Sequence, residues 1–109
     1  MSESAPGAST DWQKVAEPGE VADGEVRAVR AGGMVLALVR IGERYGALYD
    51  RCPHMGGPLS QGAIEDGRLV CPWHGREYDP FTGHCTGFGE AVRVCAVEVR
   101  DDGVYVGLD

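Results

Sequence analysis

Cys52 and His54 stand two residues apart in RCPHMGG, Cys71 and His74 three apart in CPWHG, and sixteen residues separate His54 from Cys71. The chain has only four cysteines and three histidines, so two of each are concentrated in two short segments. In both, a proline directly follows the cysteine and a glycine comes within two residues of the histidine. A soft thiolate and a borderline imidazole from each segment would make a two-sulfur, two-nitrogen site, suited to zinc or to an iron–sulfur centre. Zinc sites usually group Cys with Cys and His with His, whereas each segment here mixes the two, which suits a two-iron cluster. A zinc-stabilised binding module with no redox role is the alternative.

The elements that must hold these segments are short. Apolar residues fall in strand-length runs punctuated by 17 glycines and 6 prolines, and nothing has the length or period of a long helix. The runs Val26 to Arg30, Met34 to Ile41 and Tyr45 to Tyr49, separated by AGG and IGER, predict a meander with tight turns. Ile64 to Val70 is split by Asp66-Gly67, a pair that tolerates the positive φ angles of a two-residue hairpin turn. Val92 to Arg100 and Val104 to Leu108 flank Asp101-Asp102-Gly103 and read as a closing hairpin. In its second strand Val104, Val106 and Leu108 alternate with Tyr105 and Gly107, predicting one buried and one partly wet face. Around Cys95, Ala96 and Val97 the alternation is less clean, which leaves a bulge or a strand buried on both faces as options. The expected fold is a small all-β antiparallel sandwich or barrel with the two Cys/His loops projecting from it. Residues 1–10 read as a disordered tail, and 11–109 as a single domain.

Composition narrows the function classes. Ten Lys and Arg against 17 Asp and Glu leave a net charge of −7 with neutral histidines. Nucleic acid and anionic membranes would lack the cationic patch they need, so a basic protein partner fits the whole-chain balance better. The longest uncharged apolar run, Met34 to Val39, is six residues, far short of the roughly 20 that span a bilayer. MSESAPGAST has neither a positively charged n-region nor an apolar h-region. A cytoplasmic location is therefore expected, with the cysteines as thiols or metal ligands rather than disulfides.

CPHMGGPLSQG and CPWHGREYDPFTG resemble the two cluster-binding loops of Rieske-type ferredoxins and Rieske domains, closely over Arg51 to Phe88 and loosely in the flanking strands. The resemblance implies a Rieske [2Fe–2S] cluster, one per chain, with Cys52 and Cys71 on one iron and His54 and His74 on the other. It also implies a one-electron carrier, the ferredoxin component of a bacterial multicomponent oxygenase system. Such a carrier takes electrons from an NAD(P)H-dependent flavoprotein reductase and passes them to a terminal oxygenase. The histidine end is normally the exposed one and the expected exit for the electron. An oxygenase needs a further iron held by two histidines and a carboxylate, but after His54 and His74 only His84 is left. The protein is thus expected to move electrons without being an enzyme itself. The small subunit of a nitrite-reductase-type assimilatory reductase is a second reading within the same chemistry.

The respiratory-complex branch of the family joins its loops by a disulfide; the matching positions here are Gly57 and Trp73, so no bridge can form. That branch also places a serine hydroxyl near a cluster sulfur, where Arg76 stands, while Tyr78 matches its tyrosine. Fewer hydrogen bonds to sulfur predict a potential in the lower half of the Rieske range of about −150 to +300 mV. Because oxidised iron acidifies both imidazoles, the potential should fall at high pH, and a flat profile would contradict His ligation. Outside the ligand pattern, Cys95 reads as a small core residue, Cys85 as a loop thiol and His84 as a solvated turn residue. Trp73 is open to shielding, docking or plain packing, Tyr78 to donating its hydroxyl to sulfur or to packing. Arg76 reads as a solvated charge, and Asp101 and Asp102 as turn formers.

Overall fold

The computed structural model describes residues 11–53, 56–73, 75–86 and 89–108. The tail over 1–10 and the two histidines His54 and His74 lie outside the described residues. Among the described residues nine strands form two antiparallel sheets: β1 (Asp11–Ala16), β2 (Val26–Ala31), β3 (Met34–Ile41), β4 (Arg44–Tyr49), β5 (Ala63–Glu65), β6 (Arg68–Val70), β7 (Glu77–Tyr78), β8 (Val94–Arg100) and β9 (Gly103–Leu108). Six of them make a curled sheet in the order β1-β9-β8-β4-β3-β2, and β5-β6-β7 make a small second sheet. A 3-10 turn spans Leu59–Gln61. Among the described residues no helix is long and apolar enough to cross a membrane.

The meander, the hairpin over residues 63–70 and the closing hairpin all form where the apolar runs place them. Asp66 and Gly67 take φ of 52° and 76°, the doubly positive turn that fits the right-handed twist of two paired strands. Period two on β3 and β4 sorts side chains into two cores. Leu36, Leu38 and Ala47 point into the curl with Val29, Ala31, Val104 and Val106. Ala37, Val39 and Leu48 point the other way, against Leu59, Leu69, Tyr78 and Val92 of the segment that carries the loops. β3 is therefore buried on both faces from Leu36 to Val39, which explains its unbroken apolar run LALV.

Other details of the strands depart from expectation. β8 alternates regularly, with Cys95 and Val97 half-buried and Val94, Ala96 and Glu98 exposed, and it has no bulge. The irregularity lies instead in β1, where Lys14 opposes Tyr105 and Ala16 opposes Val104, leaving Val15 as the extra residue. That extra residue breaks the alternation of DWQKVA, so its sequence carries no clear strand signal. Gly107 is buried, not wet, because β9 is flanked by β1 and β8 and the glycine has no side chain to lift it clear. β8 begins at Val94; the Val92 amide donates to the Gly83 carbonyl (2.8 Å) in the loop region instead.

β4 and β8 are neighbours, pairing Ala47 with Cys95 and Leu48 with Val94. Residues 50–93, with both Cys/His segments and the small sheet, are thus one excursion between adjacent strands. Close backbone contacts seat it: a Cβ on Gly46 would fall on the Pro80 carbonyl, and one on Gly62 on the Val70 carbonyl. At the entrance Asp50 holds Ser60 twice, accepting from its amide (2.6 Å) and its hydroxyl (2.7 Å).

Candidate metal centre

The two loops close in the same way. In the first, which follows β4, the Gly56 amide donates to the Cys52 carbonyl (2.6 Å) and the Cys52 amide to the Gly57 carbonyl (2.8 Å). In the second, the hairpin between β6 and β7, the Gly75 amide donates to the Cys71 carbonyl (3.0 Å) and the Cys71 amide to the Arg76 carbonyl (2.8 Å). Gly56 and Gly75 occupy the same step with φ of 78° and 72°, a conformation that costs other residues energy and glycine little. Pro53 and Pro72 stand at the step after each cysteine and fix φ there. The glycines and prolines that flank the two cysteines are therefore the residues the turns require. The histidines fall at different steps of the two turns, two after Cys52 and three after Cys71.

Both cysteines are buried, at 1% and 2% exposure, in one cluster with Tyr78. The Tyr78 hydroxyl lies 3.2 Å from Cys52 Sγ and donates to it once that sulfur is a thiolate. Tyr78 has its pKa pushed well above the usual 10.0, first by burial, then by its bond to Cys52 and by Cys52, Cys85 and Cys71 around it. It stays protonated and remains a donor at any ordinary pH. β7 positions it, since Tyr78 pairs with Leu69 in the strand that ends just before Cys71.

Of the remaining residues singled out in the sequence, Trp73 is 54% exposed and its ring covers Gly57, whose Cβ would sit 2.9 Å from Trp73 Cδ2. The two positions expected to lack a bridge do face each other, with an indole across a glycine. Arg76 closes its loop through the backbone, and its half-buried side chain reaches over Gly89 rather than into open solvent. His84 is exposed on a turn, as expected. Asp101 and Asp102 form the last turn, and Asp102 accepts from the Tyr105 hydroxyl (2.8 Å). Cys95 is half-buried against the inner core. Cys85 corrects the sequence reading: it is buried, bridges Tyr78 and packs in the cluster of Cys52 and Cys71. Its neighbours Gly83, His84 and Thr86 have the polarity of a loop, and the bridge to Tyr78, seven residues back, accompanies the inward turn of the side chain.

The donor set fits an iron–sulfur centre. Two buried thiols, with no disulfide among the described residues, are presented by equivalent turns beside a fixed hydroxyl donor. Apolar surroundings and a hydrogen bond to sulfur are the means by which such a site is tuned.

The family model for the Rieske [2Fe-2S] domain matches residues 11–98. The chain is 34% identical over 100 residues to the anthranilate 1,2-dioxygenase ferredoxin subunit of Burkholderia cepacia, covering 90% of this chain and 93% of that one. It is 33% identical over 89 residues to apoptosis-inducing factor 3 of Homo sapiens, covering 80% of this chain but only 15% of that much longer protein. Among solved structures, a complex of reduced oxygenase and oxidised ferredoxin in carbazole 1,9a-dioxygenase contains a chain that superimposes with a TM-score of 0.80 at 32% identity, over 88% of this chain and 92% of that one.

Proposed function

This chain belongs to the Rieske [2Fe–2S] domain family, and from that premise we propose that it is a one-electron carrier that serves a terminal oxygenase and is replenished by an NAD(P)H-dependent flavoprotein reductase. Cys52 and Cys71 bind one iron of the cluster, and His54 and His74 the other. The observation that carries this reading is the pair of matching turns that bury two cysteines in one cluster, Cys52 against the Tyr78 hydroxyl. Likeness over nearly the full length of a dioxygenase ferredoxin subunit supports the choice of partner.

The cluster supplies a reversible one-electron couple. The chain's own residues keep its sulfur end dry, hold the Tyr78 proton against Cys52 and anchor both turns through their main-chain bonds. A reducing compartment such as the cytoplasm suits the protein, because Cys52 and Cys71 must meet the metal as thiolates. Contacts with donor and acceptor are brief, in the class of interfaces below about 1,200 Å².

The purified protein should be brown, with a Rieske spectrum that His54→Ala and His74→Ala each abolish. It should cycle once per electron when supplied with a reductase and NADH. A colourless protein with stoichiometric zinc, or a spectrum untouched by both substitutions, rules the assignment out.

A further inference from the structure

The charges are not spread evenly over the molecule. Most of the cations on the strands meet carboxylates: Lys14 pairs with Glu17 (3.0 Å), Arg27 with Glu20 (3.3 Å) and Glu25 (3.5 Å), Arg100 with Glu98 (2.5 Å) and, on the strands flanking the second loop, Arg68 with Glu77 (3.4 Å), while Arg30 stands exposed on β2. Arg40 turns onto the backbone carbonyls of Val21 and Gly42, and Arg44 lies over the Phe81 ring, 3.7 Å from its centroid. Around the first loop arginines gather, Arg93 among them, which like Arg44 lies over a ring, that of Tyr49, 5.3 Å from its centroid. A cavity of about 540 Å³ opens beside Cys52, lined by Arg51 and Arg93 together with Pro53 and Gly56. A second, of about 220 Å³, lies across Pro53 and is lined by Arg76 with Tyr78 and Gly89. Glu90 borders both cavities and is the acid common to their walls. Asp50, next to Arg51, has both oxygens engaged by Ser60.

Arg51 lies along Gly56, its Nε 3.4 Å from where a Cβ would be, while the exposed Trp73 covers Gly57. The adjacent glycines thus each leave room for a large side chain on the loop that holds Cys52, a guanidinium at Gly56 and an indole at Gly57. We infer that the electron-transfer face is a basic docking patch, in which Arg51 and Arg93 receive carboxylates of a redox protein and the exposed Trp73 meets an apolar part of its surface. This deepens the carrier reading and rests on it. It reverses what the net charge of −7 implies about the partner: the acidic remainder repels such a surface while the patch attracts it, so an incoming acidic partner is turned toward the cluster before contact.

The two charge distributions predict opposite salt effects, and inorganic oxidants read them without a partner protein. Reduced holoprotein is mixed with hexacyanoferrate(III), an anion, and with tris(phenanthroline)cobalt(III), a cation, at ionic strengths from about 10 to about 300 mM, where the screening length shrinks from about 30 Å to below 8 Å. The patch predicts that oxidation by the anion slows roughly three-fold or more as salt rises, while oxidation by the cation does not slow. In the R51E/R93E double variant both slopes should change sign. The neutral pair R51Q/R93Q, milder for folding, should lose the anion's salt dependence. A wild-type rate with hexacyanoferrate(III) that climbs with salt means net charge governs and overturns the inference, as do slopes unchanged in the variants. A protein with no reversible one-electron couple in a prior redox titration fails earlier and takes the carrier reading with it.

Discussion

Tyr78 does more at the candidate centre than its neighbours, because its hydroxyl touches the Cys52 sulfur from a site where it holds its proton. Tyr78→Phe should keep the cluster and lower its potential by roughly 50 mV, close to a tenfold change in a one-electron equilibrium, as measured by spectroelectrochemistry. The raised pKa also has a linkage consequence. A phenol held neutral in the fold contributes stability that is fully present below its unfolded pKa of 10.0 and is lost as pH climbs beyond it. Urea midpoints should hold level to about pH 9 and then fall, with a shallower fall in Tyr78→Phe than in the wild type. Cys52, Cys71 and Tyr78 were legible in the sequence because the loop patterns place them at fixed steps. Cys85 was not, since its burial comes with a bridge to Tyr78 that no local pattern announces.

At the scale of elements, close backbone approaches and the Asp50–Ser60 clasp help to hold the loops. Gly46 lets β4 lie directly against the Pro80 carbonyl; Gly46→Ala should cost about 2 kcal/mol or more by overpacking, read as a lower urea midpoint. Asp50→Ala removes two charge-assisted hydrogen bonds to Ser60, worth about 2 kcal/mol in this half-buried setting, and should also speed loss of iron to a chelator. If iron release is unchanged, the clasp does not hold the loop. The hairpins could be read from Asp66-Gly67 and Asp101-Asp102-Gly103 because turn chemistry is local. β1 could not, since Val15 bulges out and spoils the very period by which strands are recognised.

On the scale of the whole molecule, the composition described an acidic protein correctly and its working face not at all. A sum over residues carries no positions, and the arginines around Cys52 come together only after folding. The same holds for topology. Pairing of β4 with β8 joins strands separated by residues 50–93, and such a long-range choice leaves no short-range trace. That pairing also makes the stretch with both Cys/His segments a single insertion, packed on Ala37, Val39 and Leu48 of the host sheet. Its two ends leave adjacent strands, about 5 Å apart, so the host sheet can accept another insert that keeps the apolar residues of that shared core. Grafting 50–93 from another family member between Tyr49 and Val94 should transplant the donor's potential onto this scaffold, letting redox tuning and host architecture diversify independently.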